Sequence, residues 1–164
     1  MAAILLFQLY LLIFSFSEQD AETSGSLSYM ISQKCVEFMN ALTGGSWTES
    51  FQEGLAAYFE NPIRKLAHFA EYACMGVLIY GIWRPWKQGN GKWYLLTILW
   101  VLVSAAGDEI HQLYVPGRSG NLPDVLLDTC GGSFGLLCGI CLERISLWRR
   151  KRKERKNKKN KVKI

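Results

Sequence analysis

The chain has 164 residues, 49% of them apolar and only 20% charged, whereas an ordinary soluble domain draws about a quarter of its residues from Asp, Glu, Lys and Arg. The charge is divided. Residues 144–164 carry 12 Lys/Arg against one acid and residues 1–143 carry 7 against 13, so the net +5 is a body near −6 and a tail near +11; a water-soluble enzyme and a disordered scaffold are both disfavoured.

In chain order, the first apolar stretch is Ala2 to Phe16. It lacks a basic leading segment and a small-residue cleavage site, so a retained helix is expected rather than a cleaved signal peptide. From Ser26 onward, Leu27, Met30, Ile31, Cys35, Phe38, Met39 and Leu42 recur at helical spacing, which predicts an amphipathic helix lying in the outer interface or re-entering the bundle. A second short amphipathic piece, Phe51 to Phe59, leads through Asn61-Pro62 into the next span, with Pro62 suited to a helix start. Three more apolar stretches follow, Leu66 to Trp83, Trp93 to Ala106 and Val125 to Leu142. Each is shorter than the roughly 20 residues a spanning helix needs, but polar flanks extend them.

The expected fold is all-α: a polytopic membrane protein with a four-helix transmembrane bundle and an amphipathic outer-loop helix. Residues 1–143 form the membrane domain, with spans near 2–17, 65–83, 93–108 and 124–142. Residues 144–164 form a basic cytoplasmic tail.

Basic segments stay on the cytoplasmic side. That rule puts the tail inside, and with an even number of spans the N-terminus is inside too. The connection Arg84 to Lys92 carries three bases and no acid and also falls inside, while the acid-rich segments Ser17 to Lys65 and Asp108 to Asp124 fall outside. Trp83, Trp86, Trp93 and Trp148 lie at the expected inner boundary, where amphipathic rings are most stable. A basic run can bind nucleic acid, but beside a membrane it is expected to touch anionic lipid headgroups, and no nucleic-acid partner is assigned.

The five cysteines imply no disulfide framework. Cys138 and Cys141 have a redox-like spacing, yet they lie in an apolar helix with no charge to form thiolate, so packing is the expected role. Gly131, Gly135 and Gly139 repeat every fourth residue, which allows a neighbouring helix to approach closely.

Ionisable residues gather at the outer ends of the last three spans, where charge is costly and marks function by default. Lys65, His68 and Tyr72 share one helical face, with Glu71 near its edge. Asp108, His111 and Gln112 fall together at the end of the third span, with Glu109 on the Gln112 side. Asp124 and Asp128 open the fourth, and the turn Pro116 to Gly120 is expected to aim Arg118 at the acids. Lys65, His68, Asp108, Glu109, Arg118, Asp124 and Asp128 are thus expected to converge into an outward polar pocket. The alternative is a structural lock in which Lys65 and Arg118 neutralise the carboxylates.

The chemistry stays open. Imidazole and carboxylates suit a divalent metal, but no tight ligand spacing occurs, so no metal or other cofactor is assigned and a divalent ion stands as the alternative. Asp108, Glu109 and His68 are the candidates for acid/base catalysis, with His111 as the alternative partner to His68. Lys65 and Arg118 suit a phosphate or carboxylate of a lipid-borne ligand.

The segments Lys65-Leu66-Ala67-His68-Phe69-Ala70-Glu71-Tyr72, Asp108-Glu109-Ile110-His111-Gln112 through Arg118, and Asp124 through Gly132 resemble the VanZ-like family of bacterial membrane proteins. The resemblance spans about residues 10–142. It implies a multi-pass protein of the bacterial cell membrane and the shared ligand site Lys65, His68, Tyr72, Asp108, Glu109, Gln112, Arg118 and Asp124. Asp128 stands where that family often has Asn and is left out of the set. The family's named member is associated with resistance to teicoplanin, a glycopeptide antibiotic with a fatty tail. The implied partners are membrane lipids and a lipid-linked envelope molecule or lipoglycopeptide, bound or modified; a structural subunit of a membrane assembly is the remaining alternative. Oligomeric state is not implied.

Overall fold

In a computed structural model, which describes residues 1–86 and 91–161, the chain forms five α-helices and a short 3-10 turn. These are α1 (Ala2–Ser17), α2 (Ala21–Leu42), α3 (Glu49–Trp83), α4 (Lys92–Gln112) and α5 (Leu122–Lys161), with the 3-10 turn at Arg84–Trp86. No strand occurs among the described residues. The side chains of Trp86 and Lys87, assigned from the sequence to the inner boundary and loop, fall outside the description.

Three helices, α3, α4 and α5, are long and apolar enough to cross a membrane. The expected first span coincides with α1, but its 16 residues reach only about 24 Å at 1.5 Å per residue, short of a hydrocarbon core of about 30 Å. It meets the same test only together with α2, across a bend of 106°.

The helix α3 departs most from expectation. The short piece at Phe51 to Phe59 and the span from Lys65 are one helix of 35 residues, with Pro62 inside it rather than at its start. Proline removes one N–H and frees the carbonyl four residues earlier. That residue is Tyr58, which is 72% exposed, so the break falls where the freed carbonyl has room for another donor. The turn before α3 is closed by Gly44 and Gly45, at φ 101 and 71, a conformation glycine adopts without a side-chain clash.

The central helix is α3, which packs against α1, α2, α4 and α5. Its crossing with α5 follows from glycine. A Cβ on Gly131 would overlap the Phe69 carbonyl oxygen, and one on Gly135 would overlap that of Ala73. The two backbones therefore touch. Tyr72, Met75, Ile79, Val101, Ala105, Val125 and Ile13 form the core between the helices. Large apolar side chains such as Leu95, Val103, Phe134 and Leu137 point away from it, as a lipid-facing surface requires.

The amphipathic helix forms, as α2, with an unexpected face inward. Ser28, Ser32 and Val36 are buried, and the Ser32 hydroxyl donates to the Ala56 carbonyl at 2.6 Å. The apolar stripe from Leu27 to Leu42 is left mostly exposed.

Both ends of the bundle are defined by contacts. At one, Gly81 approaches Ala2, Trp83 stacks on Trp93 at 5.1 Å, and Arg84 pairs with Glu143 at 3.1 Å. Beyond Glu143, α5 continues without a break into the basic segment. The opposite end carries the Pro116 to Asn121 connection and the acidic cluster.

Candidate functional site

The site forms where the first turns of α5 and the last turns of α4 meet the middle of α3. Arg118 enters from the α4–α5 connection, where Gly117 holds φ 73 and so turns the chain back toward α1. Its guanidinium donates to the carbonyls of Phe16 and Gln19, each at 3.2 Å. The expectation that Arg118 pairs with the acids is therefore corrected: among the described residues it forms no ion pair with them, and it caps the end of α1 at Phe16 and reaches the Gln19 carbonyl just beyond it. Lys65 meets Asp124 at 2.7 Å, with both side chains partly exposed.

Glu109 is buried and accepts the backbone N–H of Asn121 at 2.7 Å. It holds the α4–α5 connection against α4. Gln112, also buried, donates to Asp108 at 3.2 Å.

Together these elements enclose a polar cavity of about 110 Å³. Lys65, His68, Glu109, Gln112, Arg118 and Asp124, six of the residues chosen from the sequence, line it. Tyr72 and Asp108 do not; they line a second cavity with Tyr10, Ser104 and His111. Sharing a helical face with Lys65 and His68 did not bring Tyr72 into the polar cavity, because seven residues along α3 it is already 1% exposed in the core. Asn61, Arg64, Ser119, Asn121 and Asp128 complete the first cavity's polar lining beyond the chosen set.

Asp128 is the residue whose weight the sequence understates. It is 1% exposed, and neither carboxylate oxygen has a hydrogen-bond partner. One of its oxygens, one oxygen of Asp108 and one nitrogen of His68 lie within 4.8 Å of one another. His68 Nδ1 is also buried without a hydrogen-bond partner, with Glu71 at 3.9 Å. The signal for Asp128 was present in the sequence as an acid one turn inside a glycine-faced helix, the face bound to be buried.

A model of the VanZ/LLP1 family matches residues 2–143. The chain belongs to that family. Neither a curated protein nor a solved structure matches it. The matched span covers α1 to α4 and α5 as far as Glu143, so every residue of the polar cavity lies within the VanZ/LLP1 region.

A second groove, of about 150 Å³, adjoins the polar cavity and shares Arg64, His68 and Arg118 with it. Its remaining wall is largely apolar, including Phe16, Leu27, Ile31, Ile63 and Ala67. Arg64 forms no ion pair among the described residues; its guanidinium donates to Asn61 at 3.3 Å.

Proposed function

We propose that this VanZ-like protein resides in the bacterial cell membrane with both termini cytoplasmic, and that its polar site faces outward and binds the anionic part of a lipid-anchored envelope molecule or lipoglycopeptide of the teicoplanin kind. The observation that carries this reading is the joining of a polar cavity to an apolar groove through Arg64, His68 and Arg118. An amphiphile has the matching division: a phosphate or carboxylate beside guanidinium groups and a hydrocarbon chain along Phe16, Leu27, Ile31 and Ile63. Arg64 is the cation best suited to the anion, since Lys65 is paired with Asp124 and Arg118 is committed to α1. The basic end of α5, opposite the cavity, supports the orientation.

Purified protein in detergent, titrated with a prenyl phosphate, inorganic phosphate, and a glycopeptide with and without its acyl tail, tests the reading. The tailed compounds should bind, and Arg64→Gln should weaken them about tenfold or more, as loss of a charge-assisted hydrogen bond does. Equal affinity with and without the tail, or no binding of any tailed compound, overturns it.

A second reading, an enzyme that modifies such a lipid by acid/base or metal-assisted chemistry, is favoured by the convergence of His68, Asp108 and Asp128. Turnover of the bound prenyl phosphate in the same samples distinguishes the two.

A further inference from the structure

The buried carboxylate of Asp128 forms no ion pair, although Arg64 lines the same cavity. Two of the site's cations are committed elsewhere, Lys65 to Asp124 and Arg118 to the α1 carbonyls, and no ion pair to Asp108 or Asp128 occurs among the described residues. A carboxylate buried without a hydrogen bond or a counter-ion is strongly disfavoured. Asp128 nonetheless keeps both oxygens free, beside Asp108 and a His68 imidazole that also lacks a hydrogen-bond partner at Nδ1.

We propose that His68, Asp108 and Asp128 form a binding site for one divalent transition-metal ion, of the zinc class. One imidazole and two carboxylates are a donor set that such ions accept, whereas calcium and magnesium favour oxygen alone. The geometry is close to closed. The three donor atoms lie within 4.8 Å of one another, and tetrahedral ligands bonded at about 2.1 Å stand about 3.4 Å apart, so side-chain rotations that draw the donors together by up to about 1.4 Å complete the set.

Supporting groups are in position. Gln112 donates to Asp108 at 3.2 Å and would fix that carboxylate's orientation, while Glu71, 3.9 Å from His68 Nδ1, stands just outside the hydrogen-bond distance at which carboxylates back metal-bound imidazoles. The backbone is stiff at this level, because Gly131 of α5 packs directly on Phe69 of α3, next in sequence to His68. Three protein ligands leave a position for water or for an oxygen of a bound group.

The test is metal content and affinity of the full chain purified in detergent, without added lipid, so it can fail independently of the lipid-binding reading. Wild type, stripped with a chelator and titrated with zinc, should take up one ion per chain and unfold at a higher temperature when loaded. Gln112→Ala should weaken zinc about 10- to 100-fold, and His68→Ala or Asp128→Asn by more. Lys34→Ala, on an exposed part of α2, should leave affinity unchanged. Helical signal and thermal midpoint of each metal-free variant identify folded protein. The proposal is overturned if folded wild type takes up no zinc, or if folded Asp128→Asn and His68→Ala bind it as wild type does.

Discussion

Glu109 on α4 accepts the backbone N–H of Asn121 at 2.7 Å, which joins the end of one helix to the residue just before the next. This makes a residue chosen for acid/base work also the clamp of the connection that carries Arg118. Glu109→Gln keeps an oxygen acceptor and should retain the turn, whereas Glu109→Ala strands a part-buried N–H at a cost of about 1–3 kcal/mol. Thermal unfolding in detergent checks this. If Glu109→Gln loses ligand binding while its midpoint holds, Glu109 acts through its charge.

The grip of Arg118 on Phe16 and Gln19 ties α1 to the site. Arg118→Lys keeps the charge but not the two-pronged reach of a guanidinium, so amide exchange at the end of α1 should quicken by about tenfold or more, as expected for loss of a charge-assisted bond. Unchanged exchange there would show that packing alone holds α1.

Two glycines separate helix packing from helix propensity. Gly135→Ala puts a methyl against the Ala73 carbonyl, and because backbone is the obstacle the helices must part, at about 1–3 kcal/mol. Gly54→Ala meets nothing within 4 Å and should stabilise α3 by about 0.5–1 kcal/mol through lower chain entropy. Opposite shifts in thermal midpoint are the expected result.

The arrangement of the ends makes the proposed orientation testable. Ala2 lies against Gly81 and Arg84 against Glu143, so the N-terminus and the start of the basic segment of α5 share one end of the bundle. A reporter fused after Ile164 and one fused before Met1 should both be active only in the cytoplasm. A signal from the outside for both would reverse the site's proposed facing, and one from the outside for a single terminus would contradict the shared end.

The sequence by itself determined the helical class, the ends of α1 and α4 within a few residues, the division of charge along the chain and the close contact on the glycine face of α5. These are local or compositional properties: hydrophobic runs, charge excess and a small-residue repeat act whatever surrounds them. The tertiary structure decided which faces turn inward. In lipid an apolar side chain is as well placed outside as inside, so the stripe from Leu27 to Leu42 did not mark the packed face of α2; the small residues Ser28 and Ser32 did. Pro62 could stay within α3 because the carbonyl it frees belongs to exposed Tyr58. Arg118 turned to the α1 carbonyls, and Asp128 met His68 and Asp108, because these contacts join four separate helices. Helical periodicity relates residues within one helix and carries no information about the rotation of its neighbours.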